Sequence, residues 1–284
     1  MRFASYLNAG RPGLALKTEN GWRGLSEGDA SYPGTLQSLI QTGGDALSRA
    51  AGVLASAPAV DMGTVTLLPP LSNPEKIVCI GLNYKDHSAE SGFNQPEYPT
   101  VFGRFNSSLI AHGAPSLRPA ISEQLDYEGE LAAIIGKTAR DAAEEDALDH
   151  IAGYSVFNDG SIREYQFKAP QWTPGKNFDD TGAFGPDFVT ADDLPPGCEG
   201  LRLQTRLNGQ VVQDASISDM VFPVAKLVAI LSQFMTLKPG DVIVTGTPSG
   251  VGLARKPPLF MKHGDTVEVE IDRVGLLRNP VRDR

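Results

Sequence analysis

Three carboxylates stand two residues apart in LDYEGEL: Asp126, Glu128 and Glu130. In an extended strand that spacing puts all three on one face and turns Leu125, Tyr127 and Leu131 into the core. Like charges so close repel unless a cation or basic groups neutralise them. The run is therefore either a solvated edge face or part of a ligand set. Gly129 favours the second reading, because it leaves room for a close approach. A further acid, Asp159, ends the apolar run YSVFND. An all-oxygen donor set suits a hard divalent cation, Mg²⁺ or Mn²⁺, and the lack of His or Cys neighbours argues against zinc. Three carboxylates on an octahedral ion leave about three positions for substrate and water.

A second constellation is NYKDHSAESG, where the spacing predicts a helix over Asn83 to Ser91 with Asn83 as N-cap. His87 and Glu90 are three apart and share a face of it. A carboxylate beside imidazole raises its basicity, as a water-activating base requires; a surface ion pair is the alternative. His112, His150 and His263 have no such partner nearby. Lys176 follows a Pro-Gly turn in QWTPGKNFDD and would matter if it faced an anionic substrate, which spacing alone does not establish. TGTPSGVG lacks the Gly-Lys-Ser/Thr ending of a phosphate loop and reads instead as a strand-end turn offering Thr247 as a donor.

These groups need a scaffold of short strands. KIVCIG, LAAIIG, YSVFND and DVIVTG are apolar runs, and Asn208-Gly209 between alternating arms marks a hairpin. Helices are expected at Leu36 to Leu54, Ala142 to His150 and Pro223 to Met235. Strands and helices do not alternate regularly, which argues against a doubly wound parallel sheet. The expected class is strand-dominated α+β: a small N-terminal unit over 1–70, a Pro-rich boundary at LLPPLSNPEK, and a larger unit over 71–284 built as a mixed β-sandwich roll. A formal net charge of -9 argues against nucleic acid as a phosphate-bound partner. No apolar run is long enough for a membrane span. With two distant cysteines and no signal-peptide pattern, a cytoplasmic setting is expected.

Taken in order, GLNYKDHSAE, DYEGELAAIIG, YSVFNDGSIREYQ, GKNFDDTGAFGP and GDVIVTGTPSGVG with LRNPV resemble the motifs of the fumarylacetoacetate hydrolase family over about Pro74 to Val281. The resemblance implies a metal held by Glu128, Glu130 and Asp159 and chelated by a 2-oxo acid. It makes His87 and Glu90 a catalytic dyad on a lid that orders with substrate, and Lys176 a catalytic lysine. Arg104, Tyr127, Arg163, Gln166 and Thr247 form the expected substrate-binding set, and a homodimer is the expected assembly. Two departures stand out. Leu82 replaces an arginine before the Asn-Tyr pair, and Arg104-Phe105 replaces a Lys-Pro. The first argues against a small oxaloacetate-type substrate, whose far carboxylate needs a second cation. The expected reaction is hydrolysis of a carbon-carbon bond in an acylpyruvate or related 2,4-dioxo acid. A decarboxylase or isomerase using the same metal-enolate site, and a non-catalytic ligand-binding relative, are the alternatives.

Overall fold

The computed structural model describes residues 1–86 and 97–284. His87, Glu90 and most of the expected Asn83 to Ser91 helix lie outside the described residues. The N-terminal third supplies β1 (Arg2–Asn8), β2 (Arg11–Thr18), β3 (Gly21–Ser26), β4 (Thr66–Leu67) and helices α1 (Leu36–Thr42) and α2 (Ala46–Ala55). Next come β5 (Ile77–Gly81), β6 (Thr100–Gly103), β7 (Leu109–Ile110), β8 (Ser116–Arg118), β9 (Leu125–Asp126) and β10 (Gly129–Ile135). They are followed by β11 (Ile151–Asp159), β12 (Ser161–Ile162) and β13 (Gly182–Thr190). The last third holds β14 (Arg202–Leu207), β15 (Gln210–Ser216), α3 (Val224–Phe234), β16 (Val242–Val244), β17 (Thr266–Ile271) and β18 (Gly275–Asp283).

The main sheet runs β3-β2-β1-β13-β11-β10-β16-β5-β6, with β4 on β1 and β7 on β13. A second sheet, β15-β14-β17-β18-β8, packs against one of its faces. All seven residues of β10 are buried, as an apolar run covered on both faces should be. Leu131, Ala133 and Ile135 join Leu203, Val269 and Ile271 of the second sheet, whereas Ala132 and Ile134 join Leu36, Ile40 and Leu54 of α1 and α2. The period of two thus gives the central strands β5, β10, β11, β13 and β16 two cores. By the same period Glu130 shares the face of Ala132 and Ile134, and Asp159 the face of Phe157. In the second sheet TVEVEI alternates instead: Val267, Val269 and Ile271 are buried, while Glu268 and Glu270 pair with Arg206 on the outer face.

The strand-dominated mixed architecture agrees with expectation, and Asn208-Gly209 makes its hairpin with both residues at positive φ (53° and 80°). Other expectations change in detail. The helix over Leu36 to Leu54 divides at Gly43 and Gly44, both at positive φ. The segment expected to be helical from Ala142 is a 3-10 stretch, Glu144–His150. The boundary expected near residue 70 lies between β4 and β5, and strands from both sides of it join one sheet, since β1 pairs with β13 at Phe3 and Phe188. No helix among the described residues is long and apolar enough to cross a membrane.

Candidate metal centre and active site

LDYEGEL is two strands, not one. β9 stops at Asp126, β10 starts at Gly129, and Tyr127 and Glu128 form the corner between them. The corner is locked to the end of β11: the Asp159 amide donates to the Glu128 carbonyl at 2.9 Å, and the Glu128 amide donates to Asn158 Oδ1 at 2.9 Å. That lock brings Glu128, Glu130 and Asp159 together, with ligand oxygens within 4.8 Å of one another and all three side chains buried.

Asp126 is not part of this group, contrary to what a continuous strand implied. Its oxygens accept the Gly252 and Leu253 amides (2.8 and 2.9 Å) and Arg163 Nε (2.8 Å), anchoring the turn after β16. Nor does Gly129 open space for a ligand. A Cβ there would lie 2.2 Å from Thr205 Oγ1, so the glycine lets β14 of the second sheet approach.

Two helical turns bring the cations. Arg163–Gln166 and Thr173–Lys176 touch at Gly175, where a Cβ would sit 2.4 Å from the Gln166 amide nitrogen. From the second turn Lys176 Nζ reaches Glu128 Oε2 and Asp159 Oδ2, each at 2.7 Å. From the first, Arg163 Nη1 lies 2.7 Å from Glu128 Oε1 and 2.8 Å from Gln166 Oε1. Arg104 closes the far side with an ion pair to Asp159 Oδ1.

Burial works against the Lys176 ammonium, but Asp159 and Glu128 outweigh it, and its pKa is raised. Arg163 is held charged in the same way by Asp126 and Glu128. Glu130 moves the other way: burial, then Asp159, then Glu128 push its carboxyl well above the ordinary range. Four buried carboxylates against three cations leave one formal negative charge in excess. A divalent cation would turn that into one positive charge, which suits an anionic ligand. The donor set, three crowded carboxylates without His or Cys, fits a hard cation such as Mg²⁺ or Mn²⁺.

A cavity of about 240 Å³ opens over the group, among the described residues, and Glu128, Glu130, Arg163, Gln166, Lys176 and Thr247 line it. Leu82 lines it too, at positive φ (58°). Of the expected substrate-binding residues, Arg163, Gln166 and Thr247 are therefore at the cavity. The Thr247 hydroxyl is already engaged, donating to the Gly129 carbonyl (3.0 Å) and accepting from Gln213 Nε2 (2.8 Å). Arg104 and Tyr127 stand behind the wall. Tyr127 is fully buried in the core with Leu125, Ile162 and Met261, its hydroxyl on the Gly250 carbonyl at 3.1 Å. Asn83, read as an N-cap, spends its side chain on the backbone of Phe222 and Thr245.

The model of the fumarylacetoacetate hydrolase C-terminal region matches residues 76–282, which include every side chain of this centre. The chain belongs to the fumarylacetoacetate hydrolase family. Within this family of enzymes it is 40% identical to a mitochondrial oxaloacetate tautomerase of Xenopus laevis, over 99% of this chain and 90% of that protein. Among solved structures, a fumarylacetoacetate hydrolase from psychrophilic Exiguobacterium antarcticum superposes with a TM-score of 0.86 at 35% identity, covering 100% of both chains. The maleylpyruvate hydrolase of Sphingobium sp. SYK-6, solved with manganese(II) and pyruvate, superposes with a TM-score of 0.80 at 29% identity, covering 100% of this chain and 99% of that one.

Sequence reasoning missed Asn158, Gln213 and Trp172 at this family centre. Asn158 could have been found as the polar neighbour of Asp159 at the strand end. Gln213 ties β15 to the site by accepting the Gly129 amide and donating to Thr247 and Pro248. Nothing in QVVQDAS distinguishes it from an exposed glutamine. Trp172 packs on Gly81 and edge-on against Phe102 at 5.6 Å, and that ring in turn lies 5.1 Å from Lys176 Nζ.

Proposed function

We propose that this chain is a metal-dependent tautomerase of a small 2-oxo diacid of the oxaloacetate kind, interconverting its enol and keto forms. The identity to the Xenopus laevis tautomerase, running over nearly the whole chain, favours this reading over acylpyruvate hydrolysis. The geometric observation that carries it is Arg163. Its guanidinium lines the cavity within a few ångströms of the triad, and its Nη2 has no hydrogen-bond partner among the described residues. The substitution at Leu82 had argued against a diacid for want of a second cation. Arg163, with Lys176 beside it, supplies that charge by another route. A cavity of about 240 Å³ is below the usual range for larger ligands, which again favours a compact acid.

When bound at Glu128, Glu130 and Asp159, the cation would supply Lewis-acid polarisation of the 2-oxo group. Lys176 Nζ, kept protonated, donates toward the oxygen that carries charge in the enolate. Arg163 and Gln166 orient the carboxylates of the acid. The reaction moves one proton between the enol oxygen and C3; no carbon-carbon bond breaks and no water is consumed. His87 and Glu90 are the proposed carriers of that proton. The hydrolytic reading keeps one observation in its favour: the maleylpyruvate hydrolase neighbour holds pyruvate and manganese.

The test follows the loss of enol absorbance of freshly dissolved enol-oxaloacetate with Mg²⁺, with Mn²⁺ and with EDTA, and pyruvate release from acylpyruvates alongside. Metal-dependent ketonisation without acylpyruvate cleavage is the expected result. Turnover of acylpyruvates with enol decay left at the buffer rate would overturn it.

A further inference from the structure

Four N–H groups converge on the buried carboxylate of Asp126. Oδ1 accepts the Tyr127 amide at 2.9 Å and the Gly252 amide at 2.8 Å; Oδ2 accepts the Leu253 amide at 2.9 Å and Arg163 Nε at 2.8 Å. The approach is close, since a Cβ on Gly252 would lie 2.5 Å from Oδ1. Both ends of this clamp are walls of the cavity, Val251 and Leu253 on one side and Arg163 on the other. Only a carboxylate accepts at both oxygens; an asparagine would turn its NH₂ toward two of the four donors.

The clamp decides how Arg163 is presented. Nη1 is held by Glu128 Oε1 (2.7 Å) and Gln166 Oε1 (2.8 Å), and Nε by Asp126. The guanidinium is a planar fork, so with two of its nitrogens held the third, Nη2, has one direction. Without the hold on Nε the group can pivot about Nη1 and swing Nη2 aside. Nη2 is buried and has no hydrogen-bond partner among the described residues. A buried donor left so is costly, and an acceptor brought by a ligand would remove that cost. Glu128 belongs to the triad, whereas Asp126 grips the arginine from outside it.

We propose that Asp126 is a positioning residue for recognition of the substrate's far carboxylate: by clamping Arg163 Nε to the Gly252-Leu253 turn it aims Nη2 at that group and so selects diacids over monoacids. The inference rests on the diacid reading of the proposed function, but not on which reaction the acid undergoes.

Calorimetric titration of the protein in MnCl₂ with malate and with lactate tests it. The two acids share a chelating end, and malate adds a far carboxylate at the spacing of oxaloacetate. Wild type binds malate about tenfold or more tighter than lactate, as one charge-assisted hydrogen bond allows. Asp126→Asn weakens malate by a similar factor and leaves lactate within about threefold. Arg163→Lys also loses the preference, and adding Asp126→Asn to it costs nothing further, because the aspartate acts through the arginine. Equal losses for the two acids, or losses that add in the double variant, mark a merely structural role and overturn the proposal. Where Asp126→Asn fails to fold, Gly252→Ala, whose methyl displaces the carboxylate, gives the same selective loss; an unchanged preference in it overturns the proposal. A wild type with no preference for malate overturns both this proposal and the diacid reading. The expected pattern in a protein that does not ketonise enol-oxaloacetate upholds the proposal and overturns only the tautomerase reading.

Discussion

A lysine with its ammonium 2.7 Å from two carboxylates and 1% of its surface exposed is held in place by what it neutralises. Lys176→Met should therefore separate two roles. Activity falls by about a hundredfold or more, as on removal of a charge-stabilising donor, while calorimetry still detects Mn²⁺ binding. Loss of Mn²⁺ binding as well would make the lysine part of the metal centre. Glu128, Glu130 and Asp159 were legible as a possible set because their side chains are of one chemical kind and lie at the start of one apolar strand and the end of another. Asp126 was grouped with them because alternation assumes an unbroken strand. The break at Tyr127 and Glu128 is made by Asn158 and Asp159 at the end of another strand, which local periodicity does not contain.

At the scale of elements, the site depends on two short turns meeting at Gly175. Gly175→Ala would drive a methyl into the Gln166 backbone, which has no flexible end to yield. Enol-oxaloacetate ketonisation should drop at least tenfold, with wild-type far-UV circular dichroism. Gly209→Ala is the matching control: nothing lies within 4 Å of its Cβ, but its φ of 80° strains any other residue. It should cost about 1 kcal/mol in urea unfolding and leave activity unchanged. That hairpin was legible because Asn-Gly dictates its own turn. The contact at Gly175 was not, because a four-residue turn carries no periodicity, and a glycine after proline reads as a loop.

On the scale of the whole molecule, three buried carboxylates with oxygens within 4.8 Å of one another make the fold sensitive to the cation. Saturating Mg²⁺ or Mn²⁺ at about a hundredfold over Kd should add about 2.7 kcal/mol and raise the melting temperature by several degrees, an effect EDTA reverses and Asp159→Asn abolishes. Alkali acts elsewhere. Burial, then Glu27, then Tyr6 push the Tyr32 phenol up to about 12. The unfolded chain ionises it near the ordinary value of 10.0, so this contribution is complete below that pH and is lost as the pH climbs to about 12. Denaturant melts across that window should fall less steeply in Tyr32→Phe. The sandwich class was legible from strand density and turn residues. The continuity of the first strands with β13 was not, because Phe3 and Phe188 lie too far apart in the chain to leave a trace in local pattern.

The order of strands in the main sheet has a consequence for how the protein is made. β16 (Val242–Val244) lies between β10 and β5, antiparallel to the first and parallel to the second. The strand that joins β5 and β6 to the rest of the sheet is therefore among the last to leave the ribosome, with only β17 and β18 behind it. Until then Ile77–Gly81 has no partner on one side, the loop carrying Gly246 and Thr247 does not exist, and Glu130 lacks the amide that holds it. Pairings of such sequence separation fold slowly and leave apolar edges exposed meanwhile. The nascent chain holds all three carboxylates of the buried triad once Asp159 is made, yet it must be extended through β14, β15, α3 and β16 before Thr247 lets the pocket close around them.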